Sequence, residues 1–180
     1  MVIASIGKNA GAVTTASVIA IKRNTDMTII GIDPGEKGGI AVCSDSILME
    51  AYNMPESYTE IYDFLKGLKD KYYPLHVVLE DVGHGIPGQS SKATAIFARH
   101  NGHLEMALYA LGIPSEKVTP QKWQKEYSNT LGTSKGKTKT EWKNKLKSEA
   151  KRRFPTIAIT LNTADAVLIA EYGRRNLKCL

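Results

Sequence analysis

Zinc-binding cysteine pairs, a disulfide framework and long apolar runs are all missing from this sequence. Only two cysteines, Cys43 and Cys179, occur in 180 residues. With no CxxC pair and no Cys/His cluster, neither structural zinc nor a disulfide partner is expected. Such usage fits a reducing, cytoplasmic compartment. A short apolar stretch from Ala16 to Ile21 falls far below membrane-spanning length and lacks a signal-peptide layout, so no membrane association is expected. There is no internal repeat and no low-complexity tract long enough to act as a linker.

What is present suits one domain. A chain of this length with 42% apolar residues can bury one sizeable core but not two. Residues 1–26 read as an N-terminal extension and residues 27–180 as the domain, Met27 being either its start or an alternative initiation site. The formal charge is +6, and its distribution is uneven. From Lys122 to Arg153 eleven Lys and Arg stand against three acids, Glu126, Glu141 and Glu149, a local +8 that leaves −2 for the remainder. Basicity confined to one segment is what a phosphate-binding surface requires, although a solvated helix face can also collect lysines. The phosphate-contact set expected from it is Lys135, Lys137, Lys139, Lys143, Lys147, Lys151, Arg152 and Arg153.

The apolar pattern gives an α/β order. Thr28 to Asp33 is a β-branched run ending at Pro34 and Gly35. Gly39 to Cys43 resumes it as in a hairpin, and Ile47 to Asn53 supplies a third strand. Ser57 and Glu60 form a capping box ahead of Ile61, Phe64, Leu65 and Leu68, predicting a helix to about Lys71. His76 to Glu80 reads as a strand followed by a Gly-rich loop, Gly83 to Ser91. Ser91 to Leu111 reads as a long helix closed by Gly112, and Lys117 and Val118 as a short strand. Gly132 to Lys139 reads as a mobile basic loop, followed by a helix that Pro155 stops. A last helix starts near Thr163 and ends by Gly173. This order suits a five-stranded mixed sheet, an antiparallel meander extended by parallel strands, with helices on both faces. The first and fourth strands then lie side by side.

Asp33 and Glu80 would close two such neighbouring strands, an expensive place for carboxylates unless a cation neutralises them. Oxygen ligands suit Mg²⁺, with Mn²⁺ as a substitute. Two such ions about 4 Å apart are a known arrangement for phosphodiester hydrolysis. Asp165 adds a third carboxylate in the first turn of the last helix, where the helix dipole tolerates an anion. Taken singly, each acid is more simply a turn or helix-start residue. The three together, in this strand order, favour a site. Asp81, beside Glu80, is expected to face the opposite way. His84, His100 and His103 invite a metal or general-acid reading, but His100 and His103, on the polar or interfacial side of the long helix, read more simply as surface residues. Trp142, spaced helically with Leu146, reads as core, while Trp123 could alternatively stack on bases.

The segments IGIDPGEKGG (30–39), VLEDV (78–82) and ADAVLIA (164–170) resemble the three acidic motifs of RuvC-type Holliday junction resolvases of the RNase H-like superfamily. Their spacing and order agree over residues 27–176. TPQKW (119–123) and EYGRR (171–175) resemble the bacteriophage members more than the cellular enzyme. The resemblance implies an RNase H-like fold with Asp33, Glu80 and Asp165 as catalytic metal ligands, and two Mg²⁺ ions per site. It also implies a homodimer that cuts two strands of a four-way DNA junction symmetrically, in a bacterial cell or phage-infected host. Gln89, Ser90 and Lys92, at the end of the Gly-rich loop, would approach the junction centre. One position departs from the family pattern: Asn162 stands where a fourth acid is usual, three residues before Asp165. An amide can coordinate a metal but lacks the charge, so weaker Mg²⁺ binding or slowed cleavage is expected. Two other readings remain open: a catalytically impaired protein that binds junctions without cutting them, and an RNA-processing nuclease of the YqgF type. GIDPG also resembles the phosphate loops of sugar kinases, but the chain is too short for their two domains.

Overall fold

Alternate residues of the central strands go to two different cores, and this places the site. The computed structural model describes residues 27–44, 47–83 and 90–177. The N-terminal extension, His84, Gln89 and Cys179 lie outside the described residues. Strands β1 (Thr28–Asp33), β2 (Gly39–Ser44), β3 (Ile47–Asn53), β4 (Leu75–Glu80) and β5 (Ser115–Val118) form one sheet in the order β3-β2-β1-β4-β5. β1, β2 and β3 make an antiparallel meander, while β4 runs parallel to both β1 and β5. This is the α/β, RNase H-like arrangement expected.

Ile30, Ile32, Ile40, Val42, Val77 and Leu79 face one side of the sheet, and Ile29, Ala41, Cys43, Val78 and Val118 the other. The first side is covered by helices α1 (Tyr58–Lys71) and α2 (Ser91–Ala110), through Ile61, Leu65, Leu68, Leu104 and Leu108. The capping box at the start of α1 is present: Glu60 N–H donates to Ser57 Oγ at 3.2 Å, and Ser57 N–H donates to Glu60 Oε2 at 3.0 Å. Each fully buried aliphatic side chain on these faces is worth about 1.5–3 kcal/mol relative to exposure. Among the described residues no helix is long and apolar enough to cross a membrane.

The second side carries α3 (Pro120–Lys125), α4 (Ser128–Leu131), α5 (Lys139–Arg153) and α6 (Ala164–Asn176). α3 and α4 are additional to the expected elements, and Thr119 as N-cap with Pro120 at the first helical position is the helix-start signal for α3. α6 also outlasts its expected end. Gly173 does not terminate it but lets it sit close to the sheet, because a Cβ there would lie 2.7 Å from both Ile29 Cγ2 and Val78 Cγ2. Gly31 does the same from the strand side, where a Cβ would lie 2.3 Å from the Ala166 carbonyl oxygen and the Ala170 nitrogen. Helix and strand backbones thus nearly touch, and every residue of α6 from Ala164 to Gly173 is buried.

This contact predicts a contrast between two glycines. Gly31→Ala should lower the unfolding free energy by more than the roughly 1–3 kcal/mol usual for overpacking, since the obstacle is backbone. Gly67→Ala, on the exposed side of α1 with nothing within 4 Å, should raise it by about 0.5–1 kcal/mol. Urea denaturation of the two variants checks both signs.

Candidate active site at the carboxyl end of the sheet

Residue parity decides which way the acids point. Asp33 continues the face of Ile29 and Gly31, and Glu80 continues that of Val78, so both lie on the α6 side. The parallel register pairs Ile32 with Leu79, which makes Asp33 and Glu80 neighbours where the strands end. The approach of α6 at Gly31 brings its first turn, with Asp165, to the same place. The turn before α6 is fixed by Thr160 and Thr163, each backbone N–H donating to the other's hydroxyl at 3.0 and 3.2 Å. Asp33, Glu80 and Asp165 are only 7%, 6% and 6% exposed.

Their surroundings are short of compensating charge. Burial, then the nearby charges of Asp165 and Glu80, hold the Asp33 carboxyl well above the usual range, against the pull of Lys143. Burial also raises Glu80, although Trp123 Nε1–H donates to its Oε1 at 2.8 Å. Asp33 and Glu80 additionally hydrogen-bond to each other. Asp165 is raised by burial and partly relieved by Lys143, whose Nζ lies 3.1 Å from Asp165 Oδ2 and 3.9 Å from Asp33 Oδ2. Burial disfavours the Lys143 charge, but Asp165 and Asp33 more than offset it and hold its pKa above the ordinary value. Asp165 Oδ1 is buried with no hydrogen-bond partner.

An oxygen-only donor set of buried, underneutralised carboxylates, one with an orphaned oxygen, fits a hard divalent cation. Among the described residues no three His, Cys, Asp or Glu side chains stand as a ready-made ion site. Asp165 and Asp33 instead pair with the Lys143 ammonium, and Glu80 with the Trp123 indole.

The other residues singled out in the sequence have different placements. Asn162 is half-buried in the turn leading into α6, and Asp81 is half-buried just beyond β4. Lys135, Lys139 and Lys151 are exposed on the basic loop and α5, and Lys147 is half-buried. Lys137 donates to the Thr133 carbonyl and lies 5.8 Å over the Trp142 ring. Arg152 and Arg153 are already paired with Glu149, at 2.9 and 2.6 Å. Lys92 is exposed in the first turn of α2, while the Ser90 hydroxyl caps that helix by accepting from Ala93 N–H at 3.3 Å.

Three readings change. Trp123 is fully buried and orients Glu80, so it is not available for base stacking. His100 is no simple surface residue: its Nδ1 accepts the Gly35 N–H at 3.2 Å, tying the β1–β2 turn to α2. Lys143, expected among the phosphate contacts, points inward in this structure as a counter-ion of Asp165 and Asp33. Its signal was the excess negative charge of three converging carboxylates, which demands a cation. Trp142 is half-buried against the core, as its spacing suggested.

Because the three site carboxyls have raised folded-state pKa values, protonating them favours the folded state. Their contribution to stability is complete below the ordinary carboxylate range and lost as pH rises through the raised values. Metal-free protein should therefore melt at a higher temperature as pH falls from neutral, until the low-pKa Glu149 and Glu171 begin to protonate and reverse the trend. Asp33→Asn should raise the neutral-pH melting temperature, by about 1 kcal/mol or more in stability, and flatten the initial rise. Calorimetric melts of both proteins across pH test this, and a melting temperature that falls steadily from neutral in both would contradict it.

No protein-family model matches the sequence, and no curated protein matches it. Solved structures do. Thermus thermophilus RuvC in complex with a Holliday junction substrate aligns with a TM-score of 0.56 at 15% identity, covering 83% of this chain and 95% of that one. Another Thermus thermophilus RuvC structure aligns with a TM-score of 0.54 at 16% identity, covering 83% and 96%. At such identities the likeness concerns the fold, and it extends over nearly the whole of both RuvC chains: this protein has a RuvC-like, RNase H-like fold.

Proposed function

We propose that this protein is a divalent-metal-dependent endonuclease that resolves four-way DNA junctions, acting as a homodimer that nicks two strands symmetrically. The observation that carries the reading is the convergence of Asp33, Glu80 and Asp165, all buried, where β1, β4 and α6 meet. Support comes from the RuvC-like fold, since one of the similar structures holds a Holliday junction substrate, and from a basic segment on the same side of the sheet.

Asp33, Glu80 and Asp165 would hold Mg²⁺, or Mn²⁺ in its place, at two ions per site. Bound there, such ions supply positive charge at the scissile phosphodiester, which eases deprotonation of an attacking water and departure of the leaving oxygen. The chain's own groups prepare that position. Trp123 fixes one oxygen of Glu80 and so sets the direction of the other. Burial of the acids keeps bulk water from screening their charge. Asp165 Oδ1 has no partner within the protein to give up. Lys135, Lys137, Lys139, Lys147 and Lys151 would contact backbone phosphates, giving affinity without base specificity. Gln89, Ser90 and Lys92 would meet the junction centre.

Asn162 favours a second reading. With an amide where a fourth acid is usual, the protein would bind junctions while cutting them slowly or not at all.

A labelled four-way junction, assayed beside duplex, single strand and RNA–DNA hybrid with Mg²⁺, Mn²⁺ or chelator, tests the proposal. Paired, metal-dependent nicks confined to the junction are expected. Asp33→Asn, Glu80→Gln and Asp165→Asn should each slow them by more than about a hundredfold, the most that losing an outer-shell partner costs, with junction binding kept. Asn162→Asp should speed cleavage; no gain would remove the impairment reading. Cleavage of the hybrid in preference to the junction would defeat the proposal. Replacing Lys137 and Lys139 together with Ala should reduce the log–log salt slope of binding by about 2; an unchanged slope would exclude those contacts.

A further inference from the structure

Two of the three acids, Asp165 and Asp33, share one cation, and that cation comes from a different layer of the protein. Lys143 belongs to a series on α5, Lys139, Lys143, Lys147 and Lys151, recurring every fourth residue. Its neighbours in the series are exposed or half-buried on the basic face. Lys143 alone of the four ion-pairs with the site. Its fit there is incomplete: one contact at hydrogen-bond distance, to Asp165 Oδ2 at 3.1 Å, and one loose contact, to Asp33 Oδ2 at 3.9 Å. Asp165 Oδ1 remains bare, and Glu80 is held by Trp123 instead.

An ammonium is a single charge with directional N–H donors, whereas a divalent cation carries twice the charge and can engage oxygens of all three acids at once. The two cannot share Asp165 Oδ2 and the space beside Asp33 without repulsion. Lys143 has somewhere to go, since 35% of its side chain is still exposed and its four-carbon stem is flexible.

We propose that Lys143 is the resident counter-ion of the acidic site and that an incoming divalent cation displaces it, moving the ammonium from Asp165 and Asp33 toward the basic face of α5. The inference rests on the metal-dependent reading above and adds a competition to it. In the metal-free protein Lys143 neutralises part of the site and fastens α5 to the sheet end, and the same contact lowers the affinity for metal. By linkage, metal loosens that fastening to the extent that Lys143 weakens metal binding. Lys143 is thus a positioning residue whose released charge faces the surface where phosphate would bind.

Mn²⁺ binding to the full chain, measured by calorimetry and by electron paramagnetic resonance, tests the competition in wild type, Lys143→Met, Lys143→Arg and Asp33→Asn. Lys143→Met should bind Mn²⁺ about two- to fivefold more tightly, the scale of one partly screened ion pair, and should melt lower than wild type without metal. Lys143→Arg, which keeps the charge, should bind no more tightly than wild type. Wild type that binds Mn²⁺ while Lys143→Met binds it equally or more weakly would overturn the proposal. Wild type and Asp33→Asn that both fail to bind Mn²⁺ would instead remove the metal-dependent reading, and this inference with it. Should Lys143→Met not fold, the side-chain ammonium resonance of Lys143 in wild type is read during a Mg²⁺ titration. It should shift and saturate with the calorimetric binding constant; a resonance that stays in place while Mg²⁺ binds would overturn the displacement.

Discussion

The near-contact between the α6 backbone and β1 at Gly31 sets the distance on which the rest of the structure depends. With any side chain at Gly31, the helix would have to stand off from the strand, and Asp165 would leave the ends of β1 and β4. Gly173 plays the matching part on the helix, against Ile29 and Val78. This closeness also explains why α6 is buried on all sides and carries Ala164, Ala166 and Ala170 where it meets other layers. Small residues let backbones approach, and the approach places a carboxylate where a looser packing would leave water.

α6 carries two buried acids whose surroundings push them in opposite directions. Glu171 is as buried as Asp165, yet Arg174 and Arg175 grip it at 2.7 and 2.6 Å. Burial alone would raise its pKa, but those arginines bring it below the ordinary value. Glu149 on α5 is treated likewise by Arg152 and Arg153. With Arg153 also 4.0 Å from Glu171, these pairs join α5 to α6 with four arginines for two acids. At the other end of the same two helices, three acids have one lysine among them and are pushed upward instead. Structural carboxylates here are matched with a surplus of arginine, whereas the site carboxylates are left in want of positive charge. On the metal-dependent function proposed above, that want is what draws the cation, at a cost in metal-free stability.

Much of this was legible in the sequence because it depends on local period and punctuation. The apolar runs of β1 and β4, the Ser57 capping box and the Gly-Pro breaks gave the element order, and with it Asp33 and Glu80 at the ends of neighbouring strands. Tertiary contacts left no such trace. Gly173 looks like a helix stop in sequence and is a packing contact in the fold. Trp123, separated from Glu80 by 43 residues, reads as an aromatic near basic residues until the parallel pairing of β4 with β5 brings α3 beneath the acids. Lys143 reads as one of many lysines, because the i, i+4 spacing that puts it on a basic face says nothing of which member turns inward. His100 was similarly hidden, its partner being the backbone N–H of Gly35.

The central question is whether Asp33, Glu80 and Asp165, two of them paired with Lys143, act as one cation site. Anomalous diffraction from crystals soaked in Mn²⁺ tests this most directly, since it locates the ion without reference to catalysis. Anomalous peaks are expected within ligating distance of Asp33, Glu80 and Asp165, with the Lys143 ammonium withdrawn from Asp165. Ordered carboxylates with no peak between them, at Mn²⁺ concentrations that saturate binding in solution, would contradict it.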